Sequence, residues 1–181
     1  MRWAELARRQ PGLGVLGRQR LLDPGVALIV TIRRDGTPRL SPVEPWVMDK
    51  DLWLSMLWAS LKARDLRRDP RVLVHGIVTS RDGGDGEFKV RGLAVVEERT
   101  EVQSRYAADV GEHLGWRPEP GRFHLFRVDV HHVAFIRYDD ETGDQFTALW
   151  PPAHEFVRRG TSATSLGDPT PLRDLLVPDT T

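Results

Sequence analysis

The sequence contains no cysteine. Disulfides, thiolate metal ligands and a cysteine nucleophile are therefore excluded, and the absence fits a reducing cytoplasm. The chain also lacks an apolar run of membrane-spanning length, and its first residues lack the apolar segment of a secretory signal. We therefore expect a cytoplasmic protein with no membrane partner.

An excess of charge of either sign is also missing, since 26 Lys and Arg balance 26 Asp and Glu. A general polyanion binder normally carries a net basic face, so we do not expect a nucleic-acid partner. Zero net charge remains compatible with a small, local phosphate site. The 181 residues, 40% of them hydrophobic and 29% charged, suffice for one soluble domain with its own core.

The rest of the chain is organised around residues 52–72, which predict a strand, a short helix and a new strand. Alternate positions from Leu52 to Trp58 are apolar, the period of a strand with one buried face. Ser60 is a good N-cap for a helix over Leu61–Arg68. Pro70 ends that helix, because the residue before a proline is pushed out of the helical region, and strand propensity resumes at Val72.

The start of this helix is a candidate anion site. A helix N-terminus presents unpaired N–H groups and the positive end of the helix dipole. Ser60 adds a hydroxyl and Lys62 an ammonium group, with Arg64 close by. Phosphate is the anion best matched to that set. The alternative is a capped amphipathic helix whose basic residues face water.

Other segments predict hairpin-linked strands and few helices. Asp35-Gly36 is a hairpin-turn signal, and Gly92 predicts a bulge within a long strand. Further strands are expected over residues 26–32, 39–47, 72–79, 87–98, 123–138 (one bent strand or two) and 145–150. Such a succession of strands indicates an antiparallel barrel.

Two helical regions are expected outside these strands. Residues 2–22 predict helix around a break at Pro11-Gly12, followed by a G-x-G-x-x-G pattern at residues 12–17. No buried strand precedes that pattern, so we interpret it as a flexible turn and not as a dinucleotide site. Thr100 to Gln103 predicts a capping box that opens a packing helix with Gly115 at its C-terminal end, and we assign that helix no chemistry.

Two segments together resemble a known family. Asp35–Val43 and Trp58–Val72 are similar to the flavin-binding split-barrel family, which includes the pyridoxamine 5′-phosphate oxidase-like and the flavin/deazaflavin oxidoreductase proteins. The resemblance implies a mainly β fold, an antiparallel six- to seven-stranded split β-barrel with Greek-key topology and short flanking helices. It divides the chain into an N-terminal helical segment (1–22), a flavin-binding barrel (23–152) and a C-terminal extension (153–181).

The resemblance also implies a homodimer with cofactor sites at the interface. Ser60 and Lys62 match positions that contact the cofactor phosphate, and Arg39 and Ser41 match positions along the ribityl chain and ring. Trp58 matches a position beside the ring or chain. The complete set of predicted cofactor-binding residues is Arg39, Ser41, Val43, Trp58, Ser60, Lys62, Arg64 and Trp150, the last reaching the site across the dimer.

From this resemblance we expect an FMN-binding oxidoreductase that transfers a hydride to or from a small organic substrate. The alternatives are a deazaflavin-dependent reductase of the same fold and a non-catalytic flavin- or haem-binding protein, for which His75, His124 and His131 are candidate axial ligands. Residues 154–160 lack the Arg-x-His-type segment with which the vitamin-processing oxidases hold their substrate. We therefore do not expect pyridoxamine phosphate as the substrate. No metal site is predicted.

Overall fold

The computed structural model describes residues 1–172, 175 and 176. Ten strands form one antiparallel sheet. The strands are β1 (Ala27–Ile32), β2 (Pro38–Val43), β3 (Pro45–Met48), β4 (Asp51–Leu57), β5 (Arg71–Gly76), β6 (Glu87–Glu97), β7 (Phe123–Tyr138), β8 (Gln145–Trp150), β9 (His154–Ser162) and β10 (Ser165–Pro171). The helices are α1 (Trp3–Arg9), α2 (Pro11–Gly17), α3 (Leu61–Arg68) and α4 (Thr100–Leu114), and one π-helical turn (Arg18–Leu22) follows α2.

Strands β1 to β7 form the predicted barrel. Their hydrogen-bonded order is β2-β1-β5-β6-β7-β4-β3, and β3 follows β2 after the single residue Glu44. The chain itself thus connects the two ends of the curved sheet. Two neighbours are not consecutive in sequence, β1 beside β5 and β4 beside β7, so the barrel is not a simple meander. The mainly β, antiparallel prediction is confirmed.

Strand β7 is a single long strand that joins the barrel to the sheet extension. One edge of β7 pairs with β6 along most of its length. The other edge pairs first with β4, through Phe123–Val128, and then with β8, through Val133–Tyr138. The register with β6 shifts between Arg91 and Gly92, which is the predicted bulge. The first half of β7 thereby belongs to the barrel, and the second half connects the barrel to β8.

The N-terminal helices pack on the barrel, and their glycines allow close contact. A Cβ at Gly14 would collide with Ala7 of α1, and a Cβ at Gly17 would collide with Trp3 and Phe88. The predicted flexible turn at residues 12–17 is therefore wrong, because these residues form α2. Pro11 occupies the first turn of α2, where its missing N–H is tolerated.

Helix α4 keeps its predicted extent but not its predicted cap. Its N-cap is Arg99, so Thr100 already lies inside the helix and cannot form a capping box. Gly115 ends the helix in the left-handed conformation, with φ of 74°. The buried side of α4 packs with Trp53 and Phe123 in a second hydrophobic cluster, separate from the main core of the barrel.

The predicted C-terminal extension contains two further strands, since β9 and β10 continue the sheet beyond β8. Leu175 and Leu176 pack partly buried against the main core, and the Leu175 N–H donates to Glu155 Oε2 at 2.7 Å. Residues 173–174 and 177–181 of this extension lie outside the described residues. The division of the chain at residues 22 and 152 stays a prediction. In the described part of the chain, no helix combines the length and the apolar character needed to cross a membrane.

Candidate functional site

A concave groove of about 690 Å³ lies at one end of the barrel. It is bounded by the ends of β2 and β4, by the first turn of α3 and by the loop between α4 and β7. We call it the candidate groove. Its lining residues are Val26, Pro42, Val43, Glu44, Ser55, Met56, Leu57, Lys62, Trp116, Pro118, Glu119, Arg122 and Phe123.

Helix α3 directs its N-terminus to this region, as the sequence predicts. Ser60 is the N-cap, and its Oγ accepts the N–H of Ala63 at 3.4 Å. The N–H of Arg64 donates to the Ser60 carbonyl at 3.1 Å. Among the described residues, no acceptor faces the N–H groups of Leu61 and Lys62. Two first-turn donors are therefore available to an anion.

Lys62 is the cation of the candidate groove nearest to this helix end. Its side chain is half-buried, and its Nζ donates to the carbonyl oxygen of Pro42 on β2. Burial lowers the pKa of the Lys62 ammonium group, and the charge of Glu44 acts in the opposite direction. Within the described residues Lys62 has no salt bridge. A partly desolvated ammonium group held only by a neutral carbonyl favours a bound anion.

The opposite wall is a loop, residues 115–122, that sequence reasoning did not assign to the site. It contributes Trp116, Glu119 and Arg122 to the candidate groove. Its anchor is the buried side chain of Gln103 on α4, whose Oε1 accepts the N–H of Gly121 at 2.9 Å. The Nε2 of Gln103 donates to the Glu97 carbonyl at 3.0 Å. An exposed tryptophan in a loop rich in proline and glycine was the available signal, since such loops often carry binding residues.

A half-buried serine and a buried tyrosine lie near the base of the candidate groove. Ser55 lines the groove and is hydrogen-bonded to Tyr106 of α4. Burial raises the pKa of Tyr106 to about 12, although the Ser55 hydrogen bond acts in the opposite direction. The Tyr106 phenol therefore stays neutral at physiological pH. The remaining base is apolar, because Met56 and Phe123 are almost fully buried.

Arg39 is turned away from the candidate groove and toward α3. Its Nε donates to Asp65 Oδ2 at 2.7 Å, and the same carboxylate oxygen accepts the hydroxyl of Thr31 at 3.0 Å. Only 6% of the Asp65 side chain is exposed. The pair therefore attaches α3 to β1 and β2, and contact of Arg39 with a cofactor stays a prediction.

The other predicted residues divide between the candidate groove and distant positions. Val43 lines the groove with Lys62. Ser41 lies two residues before Val43 on the same face of β2, opposite Ile29, and does not line the groove. Arg64 points to solvent, and Trp150 is buried in the main core opposite Val133 of β7. The structure thus brings Val43, Ser60 and Lys62 together, but places Arg64 and Trp150 outside the groove of the same chain.

Trp58 is more exposed than the apolar alternation from Leu52 to Trp58 predicts, since that pattern places it on the buried face of a strand. Strand β4 ends at Leu57, and the chain then turns through Ala59, whose φ of 59° lies in the left-handed region. Trp58 is 57% exposed and lies flat on the ring of His124, with ring centroids 4.9 Å apart and an interplanar angle of 8°. It lines a second, smaller cavity beside the candidate groove. The turn, and not the strand, therefore decides its environment.

Three arginines beyond Arg64 on and after α3 form ion pairs. Arg67 pairs with Glu98 at 3.0 Å, and Arg71 pairs with Asp69 at 2.5 Å. Arg68 pairs with Asp65 at 3.4 Å and also donates to a backbone carbonyl of β1. Each of these guanidinium groups is paired with a carboxylate, which reduces the positive charge that this surface offers to a long anionic ligand.

The candidate groove therefore combines an anion site with an apolar surface. The anion site consists of the first turn of α3 and Lys62, and the apolar surface includes Trp116 and Phe123. Such a mixture is typical of a ligand that has a phosphate at one end and a planar, largely apolar group at the other. Among the described residues, no cluster of three metal-ligating side chains is present.

Comparisons with known proteins agree with this architecture. A family model described as pyridoxamine 5′-phosphate oxidase matches residues 17–137. No curated protein matches the chain.

Solved structures extend the comparison. A NimC/NimA family protein from Clostridium acetobutylicum has a TM-score of 0.58 at 16% identity, covering 81% of this chain and 94% of its own. General stress protein 26 from Bacillus anthracis has a TM-score of 0.53 at 18% identity, covering 71% of this chain and 93% of its own. The haem storage protein of Vibrio cholerae has a TM-score of 0.53 at 18% identity, covering 67% of this chain and 89% of its own. At these identities the likenesses show the fold alone.

Proposed function

The chain belongs to the pyridoxamine 5′-phosphate oxidase family, whose members bind flavins, and from this membership we propose that it is an FMN-dependent oxidoreductase. The observation that carries the proposal is Lys62, a half-buried ammonium group in the candidate groove beside the N-terminus of α3. A flavin phosphate carries about two negative charges near neutral pH. The ammonium group and the helix end would offset them.

The residues present fit FMN in chemistry. Lys62 and the free N–H groups of the first turn of α3 would hold the phosphate, with Ser60 as the cap of that turn. The apolar wall formed by Met56, Trp116 and Phe123 would exclude water from a planar ring. The Lys62 ammonium group is already partly desolvated, so it loses less hydration than an exposed lysine would when it pairs with the phosphate.

A bound flavin supplies hydride transfer, so the protein needs no acid–base pair of its own for that chemistry. The role of this chain is to bind, to orient and to exclude water. The neutral Tyr106 phenol interacts with Ser55 at the base of the groove and adds no charge there. We propose that the substrate is a small organic molecule.

FMN is favoured over a deazaflavin by the arginines of α3. A deazaflavin has a longer anionic tail, which would favour an open basic groove. Arg67, Arg68 and Arg71 are each engaged by a carboxylate. A long anionic tail would have to displace those ion pairs, whereas a single phosphate at Lys62 displaces none.

We also propose that the active form is a cytoplasmic homodimer with the cofactor sites at its interface. An exposed apolar patch adjoins the anion site and supports this assembly: Leu57 is 82% exposed, and Leu61 is 55% exposed. Together with Trp58, they place three large apolar side chains in water within five residues. Sedimentation equilibrium should give twice the chain mass, and Leu61→Glu should shift the protein to monomers.

The experiment that tests the proposed function is the visible absorbance spectrum of the purified protein, followed by titration with FMN and with the deazaflavin. A yellow protein, or tight and saturable FMN binding with turnover of a reduced nicotinamide, is the expected result. Tight binding of the deazaflavin alone would replace FMN by that cofactor. Binding of haem alone would overturn the oxidoreductase assignment, and His75, His124 and His131 would then be substituted to find the axial ligand.

A further inference from the structure

The turn between β4 and α3, residues 57–60, depends on a histidine from another strand. The N–H of Ala59 donates to Nε2 of His124 on β7 at 3.2 Å. The same imidazole ring carries the stacked indole of Trp58. One side chain thus contacts two successive residues of the turn that leads into the N-cap Ser60.

This turn needs external support because Ala59 adopts an unfavourable backbone conformation. Its φ of 59° lies in the left-handed region, which a residue with a Cβ enters at an energetic disadvantage. A hydrogen bond within the turn, from Ser60 N–H to the Leu57 carbonyl at 3.1 Å, closes it locally. The bond to His124 holds the strained residue itself, and such strain persists only where surrounding contacts determine it.

The hydrogen bond requires a neutral imidazole. Nε2 can accept the Ala59 N–H only when it carries no proton, which places the ring proton on Nδ1. Protonation would set an Nε2–H group against the Ala59 N–H, two donors facing each other. The Ala59 N–H would then lose its acceptor, and the left-handed conformation of Ala59 would lose the support of that hydrogen bond.

We propose that His124 is a positioning residue for the anion site, and that its protonation releases the turn at Ala59 and weakens binding at the N-terminus of α3. This inference rests on the proposed function, because it assumes that FMN binds at that helix end. It adds a proton-dependent control of the site by a residue that lies outside the candidate groove.

The surroundings of His124 set the direction of this control. Burial lowers the pKa of the His124 imidazole, and the positive charge of Arg67 on α3 acts in the same direction. The carboxylates that face the same cavity are each paired with an arginine, Glu98 with Arg67 of the same cavity and Glu97 with Arg99. The side chain of Gln103 from α4 is neutral, and the facing part of β4 carries no charge. The neutral, turn-holding form therefore prevails at physiological pH, and release occurs on acidification.

The chain provides a matched control histidine. His113 also packs against an indole, that of Trp46, with ring centroids 5.5 Å apart. It lies at the end of α4 and interacts with Asp109 of its own helix, not with the turn before α3. Substitution of His113 removes a histidine beside a tryptophan and leaves the contacts of His124 with the turn unchanged.

The first measurement is made on the protein without cofactor. The amide resonance of Ala59 and the His124 ring signals are recorded by NMR from about pH 7.5 to about pH 5. We expect both to titrate with one midpoint below that of a free histidine, and we expect His124→Gln, which keeps an acceptor but does not titrate, to abolish the movement of the Ala59 amide. An Ala59 amide resonance that does not move while the His124 ring titrates would overturn the proposal.

The second measurement is FMN affinity over the same pH range for the wild type, His124→Gln and His113→Gln. The FMN phosphate titrates equally in all three experiments, so only the difference between proteins counts. We expect wild type and His113→Gln to lose about tenfold more affinity on acidification than His124→Gln, in line with one lost hydrogen bond. Identical pH profiles for all three would refute the role of His124 while leaving FMN binding established. If FMN fails to bind at any pH, the proposed function fails and this inference fails with it.

Discussion

Asp65 accepts the Nε–H of Arg39 at 2.7 Å, which joins the middle of α3 to strand β2 beneath the anion site. Burial alone would raise the pKa of the Asp65 carboxyl, but the hydrogen bonds from Arg39 and Thr31 outweigh it, so the pKa lies below its usual value. A carboxyl whose pKa is depressed by folding stabilises the native state above the unfolded pKa of about 3.9. That stabilisation is lost as the pH falls through the folded value.

We therefore expect Asp65→Ala to lower the free energy of unfolding by about 3 kcal/mol near neutral pH, because it leaves the guanidinium of Arg39 without its partner. The difference from the wild type should shrink as the pH falls below about 4. Urea unfolding at a series of pH values measures both effects. Thr31→Val is the control, with an expected loss of about 1 kcal/mol for one hydrogen bond. A difference for Asp65→Ala that stays constant down to low pH would contradict this account.

Lys62→Ala should weaken FMN binding while leaving the protein folded. Its ammonium group is expected to make a charge-assisted hydrogen bond to the phosphate, and loss of about 2 kcal/mol corresponds to about thirtyfold in the dissociation constant. Quenching of flavin fluorescence gives the affinity. Arg64→Ala is the matched control on the same helix, since Arg64 points to solvent and should change affinity little. An equal loss in both variants would mean that only general charge matters, and no loss in either would remove Lys62 from the site.

Gln103→Leu should loosen the wall of the candidate groove without unfolding the barrel. The substitution removes the acceptor for Gly121 N–H and the donor to the Glu97 carbonyl. Each unsatisfied group disfavours the native loop by about 1–3 kcal/mol. We expect faster protease cleavage within residues 115–122 and lower FMN affinity. Glu112→Gln, an exposed change on the same helix, should alter neither property. Unchanged cleavage in Gln103→Leu would show that other contacts hold the loop.

Gly92→Ala should be strongly destabilising, although its φ is unremarkable. A Cβ at this position would overlap the carbonyl oxygen of Asp129 on β7, at the bulge between β6 and β7. Backbone atoms cannot move to relieve this overlap as a flexible side chain could. We therefore expect a loss of about 2–3 kcal/mol in unfolding free energy. Gly84→Ala, in an exposed loop where a Cβ would lie 3.3 Å from the Asp82 side chain and 3.7 Å from the Tyr138 carbonyl oxygen, should be nearly neutral. Thermal unfolding of both variants measures the loss of stability. A loss for Gly92→Ala no larger than that for Gly84→Ala would mean that the close approach of β6 and β7 does not require glycine at position 92.

Local signals in the sequence predicted much of the barrel. Gly36 adopts a φ of 83° in the turn between β1 and β2, as the Asp-Gly pair requires. Ser60 caps α3 as expected, and Pro70 separates α3 from β5. Each of these features is decided by neighbouring residues, so a pattern in the sequence is sufficient to find it.

The features that the sequence predicted wrongly, or did not reveal, depend on contacts between segments distant in the chain. Trp58 continues the apolar alternation of β4, yet it is exposed because the chain turns one residue later and stacks it on His124. The glycine-rich residues 12–17 form helix α2, in which Gly14 and Gly17 permit the close approach of α1 and the barrel. The loop of Trp116 and Arg122 becomes part of the site only through Gln103 and through the pairing of β4 with β7. No local pattern encodes such partners.

The pairing of Leu52–Leu57 with Phe123–Val128 has a kinetic consequence. It joins segments about seventy residues apart in the chain, and contacts of such long sequence separation slow folding. Because Ser55, Leu57 and Phe123 line the candidate groove, the groove does not exist until these two strands meet. If β4 and β7 pair only after the rate-limiting step of folding, the groove is absent from the transition state and a ligand cannot bind there. We then expect FMN to slow unfolding and to leave the refolding rate unchanged in stopped-flow experiments, and a faster refolding rate would show that the groove forms early.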